Sequence, residues 1–279
     1  MIKIDRLLVI SILTAIIHMT DTLVYAVRFS GVSTKRLATA FSLFQIISLL
    51  ASTANLIQAP LLSSIVEQTI NTGLQQTSLH YSLLLKLNHE FRLVIISATV
   101  GTIAGVLCTP VFTFVFTRII FLFEVAGSIP KLFLMLLSPR WIFLLIAKKS
   151  LWTARRRLFY KRNIPLTFLV ANVIIIGIWT TGVLSALYAG ALIPNFRSTA
   201  SLLSGIVNGL ATILAAMIVD PTAAMITDEA LRGDRGQDDI KQMIYFLCLT
   251  RILGTFLAQV IFLPAAYLIK YCTLLIIVL

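Results

Sequence analysis

Between residues 14 and 28 the chain places Thr14, His18, Asp21, Tyr25 and Arg28 at spacings of four, three, four and three, inside an otherwise apolar run. On an ideal helix these five side chains share about 80° of arc, so they form one polar line along one face. An imidazole one turn from a carboxylate can share a proton with it, and an arginine adds a fixed positive charge. Ionisable groups at bilayer depth cost at least a few kcal/mol, roughly 2.5–3.5 on insertion scales, and normally face a cavity or a partner. His18 and Asp21 are therefore candidate proton or counter-ion sites, joined by Asp220 directly before Pro221. The plainer reading, a structural hydrogen bond to a neighbouring helix with Arg28 at the membrane edge, stays open beside it.

Four arginines extend the pattern: Arg28, Arg36, Arg118 and Arg251. Singly, Arg118 or Arg251 can snorkel to the interface. Together the four would give a cationic interior suited to a phosphate or diphosphate, which arginine holds by charge-assisted bidentate bonds. In the second apolar segment Gln45, Ser48, Ser52 and Asn55 again share a face, read here first as a helix-packing surface. Asn55 and Gln58 beside Pro60 suggest a wet, irregular helix end more than a dry contact. A later segment carries Ser201, Ser204, Asn208 and Thr212 on one face.

The elements that must carry these groups follow from composition. The chain has 279 residues, 58% hydrophobic and 12% charged, with a mean hydropathy of +0.96. Soluble domains carry about 25% charged residues, so the chain is an integral membrane protein. Its formal charge of +12 is then explained by positive loops beside anionic membrane lipids, not by nucleic acid. The three cysteines lie in apolar runs without CxxC spacing and read as small fillers. There is no HExxH, glycine-rich phosphate loop or GxSxG elbow, and His80 and His89 stand in an expected outer loop without a ligand cluster. No catalytic residue, metal or cofactor is assigned, and the expectation is a non-enzyme.

Six segments are long enough to span: 7–26, 37–66, 92–123, 164–193, 198–226 and 241–270. The expected fold is an all-α polytopic membrane protein, one integral domain over 1–279. It divides into a first three-helix half (1–123), a long basic loop (124–163) and a second three-helix half (164–279). Fifteen Lys and Arg lie in or near 27–36, 124–163 and 227–241 against six on the other side, which places the long loop in the cytoplasm and both termini outside. Within that loop "LFLMLLS" and "WIFLLIA" are too short to span, and "KKSLWTARRRLFYKR" interleaves arginines with aromatics. Such runs fit interfacial helices among lipid headgroups. Finally, an offset of 161 pairs Arg36 with Arg197, Pro60 with Pro221 and Glu67 with Asp228, while "GT" at 101–102 matches "GT" at 254–255. Three spans per half would make such copies an inverted repeat, a common transporter architecture. Chance matches in a low-diversity apolar sequence are the alternative.

The block "YAVRFSGVSTKRLATAFSLFQIISLLASTANLIQAPLL" (25–62) resembles the start of the bacterial Amj family, alternate lipid II flippases. The resemblance rests on Arg28, Gly31 and Thr34, then "SLF" at 42–44 and "NLIQAP" at 55–60; beyond "VGTIAG" at 100–105 it is one of layout. It implies a bacterial plasma-membrane protein moving lipid II, an undecaprenyl-diphosphate bearing a disaccharide-pentapeptide, from the inner to the outer leaflet for peptidoglycan synthesis. On that reading Arg28, Arg36, Arg118 and Arg251 are expected at the diphosphate. Asn55, Gln58 and Asn208 are expected at sugar or peptide, and His18, Asp21 and Asp220 at protons or counter-ions. The rivals are a transporter of another polyprenyl-phosphate lipid or small anion, a cell-envelope scaffold recruited by the basic loop, and an intramembrane lipid enzyme.

Overall fold

The computed structural model describes residues 5–137 and 164–278, and every regular element among them is helical. In chain order these are α1 (Arg6–Thr34), α2 (Leu37–Gln75), α3 (His80–Ala126), α4 (Ile129–Leu136), α5 (Leu166–Leu192), α6 (Arg197–Leu202), α7 (Ser204–Leu214), α8 (Asp220–Arg232) and α9 (Gln237–Val278). A π segment, Ala215–Val219, joins α7 to α8, so that Pro194–Arg232 forms one interrupted span. Six helical segments are long and apolar enough to cross a membrane, matching the six read from the sequence. The first short run of the basic loop forms α4; "WIFLLIA" and "KKSLWTARRRLFYKR" lie outside the described residues.

The helices outrun their expected ends. The first span continues through the expected loop at 27–36 to Thr34, where Lys35 turns the chain at φ 57°. The Arg36 amide then donates to the Gly31 carbonyl at 2.8 Å. The extra turns are held by packing on α3, where the Ser30 hydroxyl donates to the Thr113 carbonyl at 3.2 Å. Arg28 is therefore a helix residue, not a loop residue. On the other face α2 and α3 nearly meet, so His80 and His89 lie on α3. At 39 and 47 residues these two helices measure about 60 and 70 Å, twice the bilayer core of about 30 Å, and must tilt or project.

The serine-rich stripe of α2 corrects another expectation. Gln45, Ser52 and Asn55 are exposed, and the face packed inward is Leu43, Ala51, Ala54, Gln58 and Leu62. Ser48 needs no neighbouring helix because its own backbone satisfies it, donating to the Gln45 carbonyl at 2.7 Å, as Thr53 off the stripe does to that of Leu49 at 2.8 Å. Alanine then supplies the close-packing face.

Helix pairing is the same in both halves. The most extensive contacts are α1 with α3 and α5 with α9; α2 lies on α1, and α6 and α7 lie on α5. Each main pair closes at a glycine. A Cβ on Gly101 of α3 would collide with the Ala15 carbonyl of α1, and one on Gly254 of α9 would come within 2.6 Å of Ile176 Cβ on α5. Gly101 and Gly254 head the matched "GT" pairs, and Ala15 and Ile176 stand at the 161-residue offset. Thr102 and Thr255 beside them are both fully buried. The halves join through α3 and α9, where Arg92 Nη1 donates to the Gln259 carbonyl at 3.0 Å and Gln259 Nε2 donates to the Arg92 carbonyl at 2.9 Å.

Gly101→Ala and Gly254→Ala should each destabilise the protein by about 1–3 kcal/mol, since the helices must part. Gly209→Ala, where a Cβ meets nothing within 4 Å, should be neutral or stabilise by up to about 1 kcal/mol. Thermal unfolding in detergent reads both outcomes.

Candidate functional site

The polar line on α1 faces the junction of the two halves. At its lowest turn Gln58 Nε2 of α2 donates to Thr14 Oγ1 at 2.6 Å, and the Thr14 hydroxyl donates to the Ile10 carbonyl at 2.7 Å. Beside this pair lies a cavity of about 210 Å³, lined by Thr14 and His18 of α1, Asn55 and Gln58 of α2, and Trp179 and Thr180 of α5. Asn55 and Gln58 thus reach one cavity from different positions, one exposed and one buried. One turn on, His18 presents a buried Nδ1 that makes no hydrogen bond with the protein.

His18 and Asp21 do not pair with each other. Asp21 Oδ2 instead accepts from Arg251 Nη2 of α9 at 3.3 Å. The pair is lopsided: the Arg251 side chain is 8% accessible and that of Asp21 46%. Arg251 therefore does not snorkel; it is an interior cation facing an open carboxylate. Tyr25, buried, stands next to Arg251. Arg28 follows, 5.8 Å from the Phe41 ring centroid, with Asp220 of α8 as the acid whose charge reaches it. The Nε atoms of Arg28 and Arg251 are buried and unpartnered. From Thr14 to Arg28 the line climbs about 21 Å, two-thirds of the hydrocarbon core.

An unsatisfied buried polar group costs about 1–3 kcal/mol. Three such atoms lie on or against this line, His18 Nδ1 and Arg28 Nε of α1 and Arg251 Nε of α9, and His18 also lines the cavity. Of the other expected residues, Asp220 is within charge reach of Arg28, and Arg36, Arg118 and Asn208 make their contacts elsewhere. Arg36 is ion-paired with Glu124 at the end of α3, about 20 Å along α1 from Asp21. Arg118 stacks at 4.4 Å on the Phe114 ring. Asn208 sits against Gly182 of α5, with its Oδ1 buried and unbonded. Asp220 is exposed where the π segment ends. Sequence reading missed Trp179 and Thr180; "WTTG" at 179–182, polar within an aliphatic helix, was the signal.

Fold and site define a multi-pass helical membrane protein with charged groups held between two similarly paired helical halves. The chain belongs to the Amj (Alternate to MurJ) family, whose model matches residues 13–273. It is 34% identical over 260 residues, 92% of this chain and 93% of the relative, to the lipid II flippase Amj of Bacillus subtilis (strain 168). The match runs well past the block that carried the sequence resemblance. No solved structure matches the chain.

The Asp21–Arg251 link has a measurable signature. Asp21→Asn and Arg251→Gln should each lower thermal stability in detergent, and the double variant should lose less than the sum. The coupling should be roughly 1 kcal/mol, the scale for a pair with one accessible partner.

Proposed function

We propose that this protein is a lipid II flippase of a bacterial plasma membrane, carrying the undecaprenyl-diphosphate-linked disaccharide-pentapeptide from the inner to the outer leaflet. The observation that carries the reading is the buried Arg251 guanidinium held by a half-open carboxylate, with Arg28 two turns along the same line from Asp21. A diphosphate displaces Asp21 from Arg251 and gains bidentate charge-assisted bonds, while Arg28 Nε meets the same group. Asn55, Gln58 and Trp179 at the neighbouring cavity take sugar or peptide. The polyprenyl chain stays in lipid.

The cavity's size adds a requirement. Sites for drug-sized ligands occupy about 300–1,000 Å³, so 210 Å³ holds part of the headgroup only, and the halves must part to pass it. Asp21 neutralises Arg251 while the site is empty, and a proton or counter-ion on Asp21 or His18 does the same for Asp21 once the diphosphate has arrived. The excess of basic residues in 124–163 supports a cytoplasmic long loop and outer termini. Arg36 spends its charge on Glu124 and is left out of the binding set.

Expression in a bacterium depleted of its essential lipid II flippase should restore growth and outer-leaflet lipid II. Good membrane expression without rescue overturns the assignment. Arg28→Ala and Arg251→Ala should each lower flipping roughly ten- to a hundredfold, the scale of a lost hydrogen bond to a charge. Arg155→Ala in the basic loop should leave it near wild type. Equal activity of all three variants removes the diphosphate site.

A further inference from the structure

Arg197, the first residue of α6, is ion-paired with Glu67 near the end of α2, Nε to Oε1 at 3.1 Å. This bridge joins the two halves at one face of the membrane. Both residues have a counterpart at the 161-residue offset: Arg36 for Arg197 and Asp228 for Glu67. Arg36 is the residue before α2 and Arg197 the first of α6, and Asp228 lies near the end of α8 as Glu67 lies near the end of α2. Because each half has three spans, its counterpart residues stand at the opposite face. The matched pair at that face is therefore Arg36 with Asp228.

That second bridge is open. Arg36 pairs within its own half, with Glu124, and Asp228 is exposed and makes no ion pair among the described residues. The two are still neighbours in level: Leu37, beside Arg36, shares one apolar cluster with Ile226 and Ala230, which flank Asp228. So one cross-half bridge is made and its repeat-related twin is not. We infer that Glu67–Arg197 and Asp228–Arg36 are alternating gates, each closing one face of the groove between the halves while the other is open, and that Glu124 parks Arg36 in the open state. The transport reading above is assumed.

The energetics suit a gate. Both side chains of the closed bridge are about two-fifths accessible, 40% and 43%, and ion pairs that wet are worth at most about 1 kcal/mol, weak enough to exchange during turnover. Arg36 keeps an acid in both states, Glu124 in the observed one and Asp228 in the other, while Arg197 has Glu67 in the observed state. The matched glycine contacts, Gly101 on Ala15 and Gly254 on Ile176, keep each half rigid so that the motion falls between halves. An inverted repeat relates the two closed states by swapping the conformations of its halves.

The test needs no cargo. The chain carrying Cys108→Ala, Cys248→Ala and Cys272→Ala is reconstituted in vesicles with a short thiol cross-linker. Glu67→Cys with Arg197→Cys should cross-link strongly, and Arg36→Cys with Asp228→Cys weakly. Adding Glu67→Gln to the second pair should raise its yield about two- to fivefold, the range that loss of a part-exposed ion pair allows; an unchanged or reduced yield overturns the gate. Monodisperse elution of each variant shows that it is folded. In the cysteine-containing chain, Glu67→Arg and Arg197→Glu should each abolish rescue, and the two together should restore it; a double variant as dead as the singles also overturns the gate. The charge-swap arm is read only where the wild-type chain rescues; reciprocal cross-linking with no rescue by the wild-type chain sinks the cargo and leaves the gates, and wild-type rescue without reciprocity does the reverse.

Discussion

A guanidinium buried between membrane helices cannot stand alone, and the Asp21–Arg251 contact meets that demand across the two halves. Arg251 is deep within α9 and Asp21 midway along α1. Placing a charge there costs several kcal/mol unless it is paired, so the bond fixes how the halves face each other. Yet the bond is incomplete. Arg251 keeps a free Nε, and half of Asp21 remains accessible.

Around that contact the packing follows from close approach. Lipid gives helices no hydrophobic reason to associate, so contact comes from small residues and buried hydrogen bonds. Gly101 and Gly254 bring two helix pairs together. Asn172 Nδ2 donating to Thr250 Oγ1 at 2.8 Å and the Ser185 hydroxyl donating to the Phe262 carbonyl at 3.0 Å tie α5 to α9. The junction between halves combines apolar clusters, such as Ile10, Leu62 and Phe91 with Leu184, Tyr188 and Phe262, with the cavity and its polar lining.

Much of this was legible beforehand. The number and order of spans and the polar line on α1 follow from hydropathy and helical period, because both are local properties of the chain. The wet, irregular helix end expected at Asn55 and Gln58 is instead a helix that continues through Pro60 with Gln58 buried. Helix ends at Thr34 and Gln75 were not legible, since tertiary contacts such as Ser30 with Thr113 extend helices past the bilayer core. The α2 stripe misled for a related reason. Serine and threonine in a helix can satisfy themselves on their own backbone, so their spacing does not say which face meets a neighbour.

By itself the sequence determined that the chain is a six-span helical membrane protein with ionisable groups aligned on its first helix. Its residues also carried the Amj resemblance that the family match bears out. Only the tertiary structure decided which arginine those groups meet. Arg28, Arg36, Arg118 and Arg251 are equivalent in composition, but one is parked on Glu124, one stacks on Phe114, and Arg251 is turned inward to Asp21, 230 positions away in the chain. The physical reason is range. Periodicity reports which side chains share a face, whereas the partner across that face depends on how distant helices pack, and in this protein that is set where glycines let backbones touch.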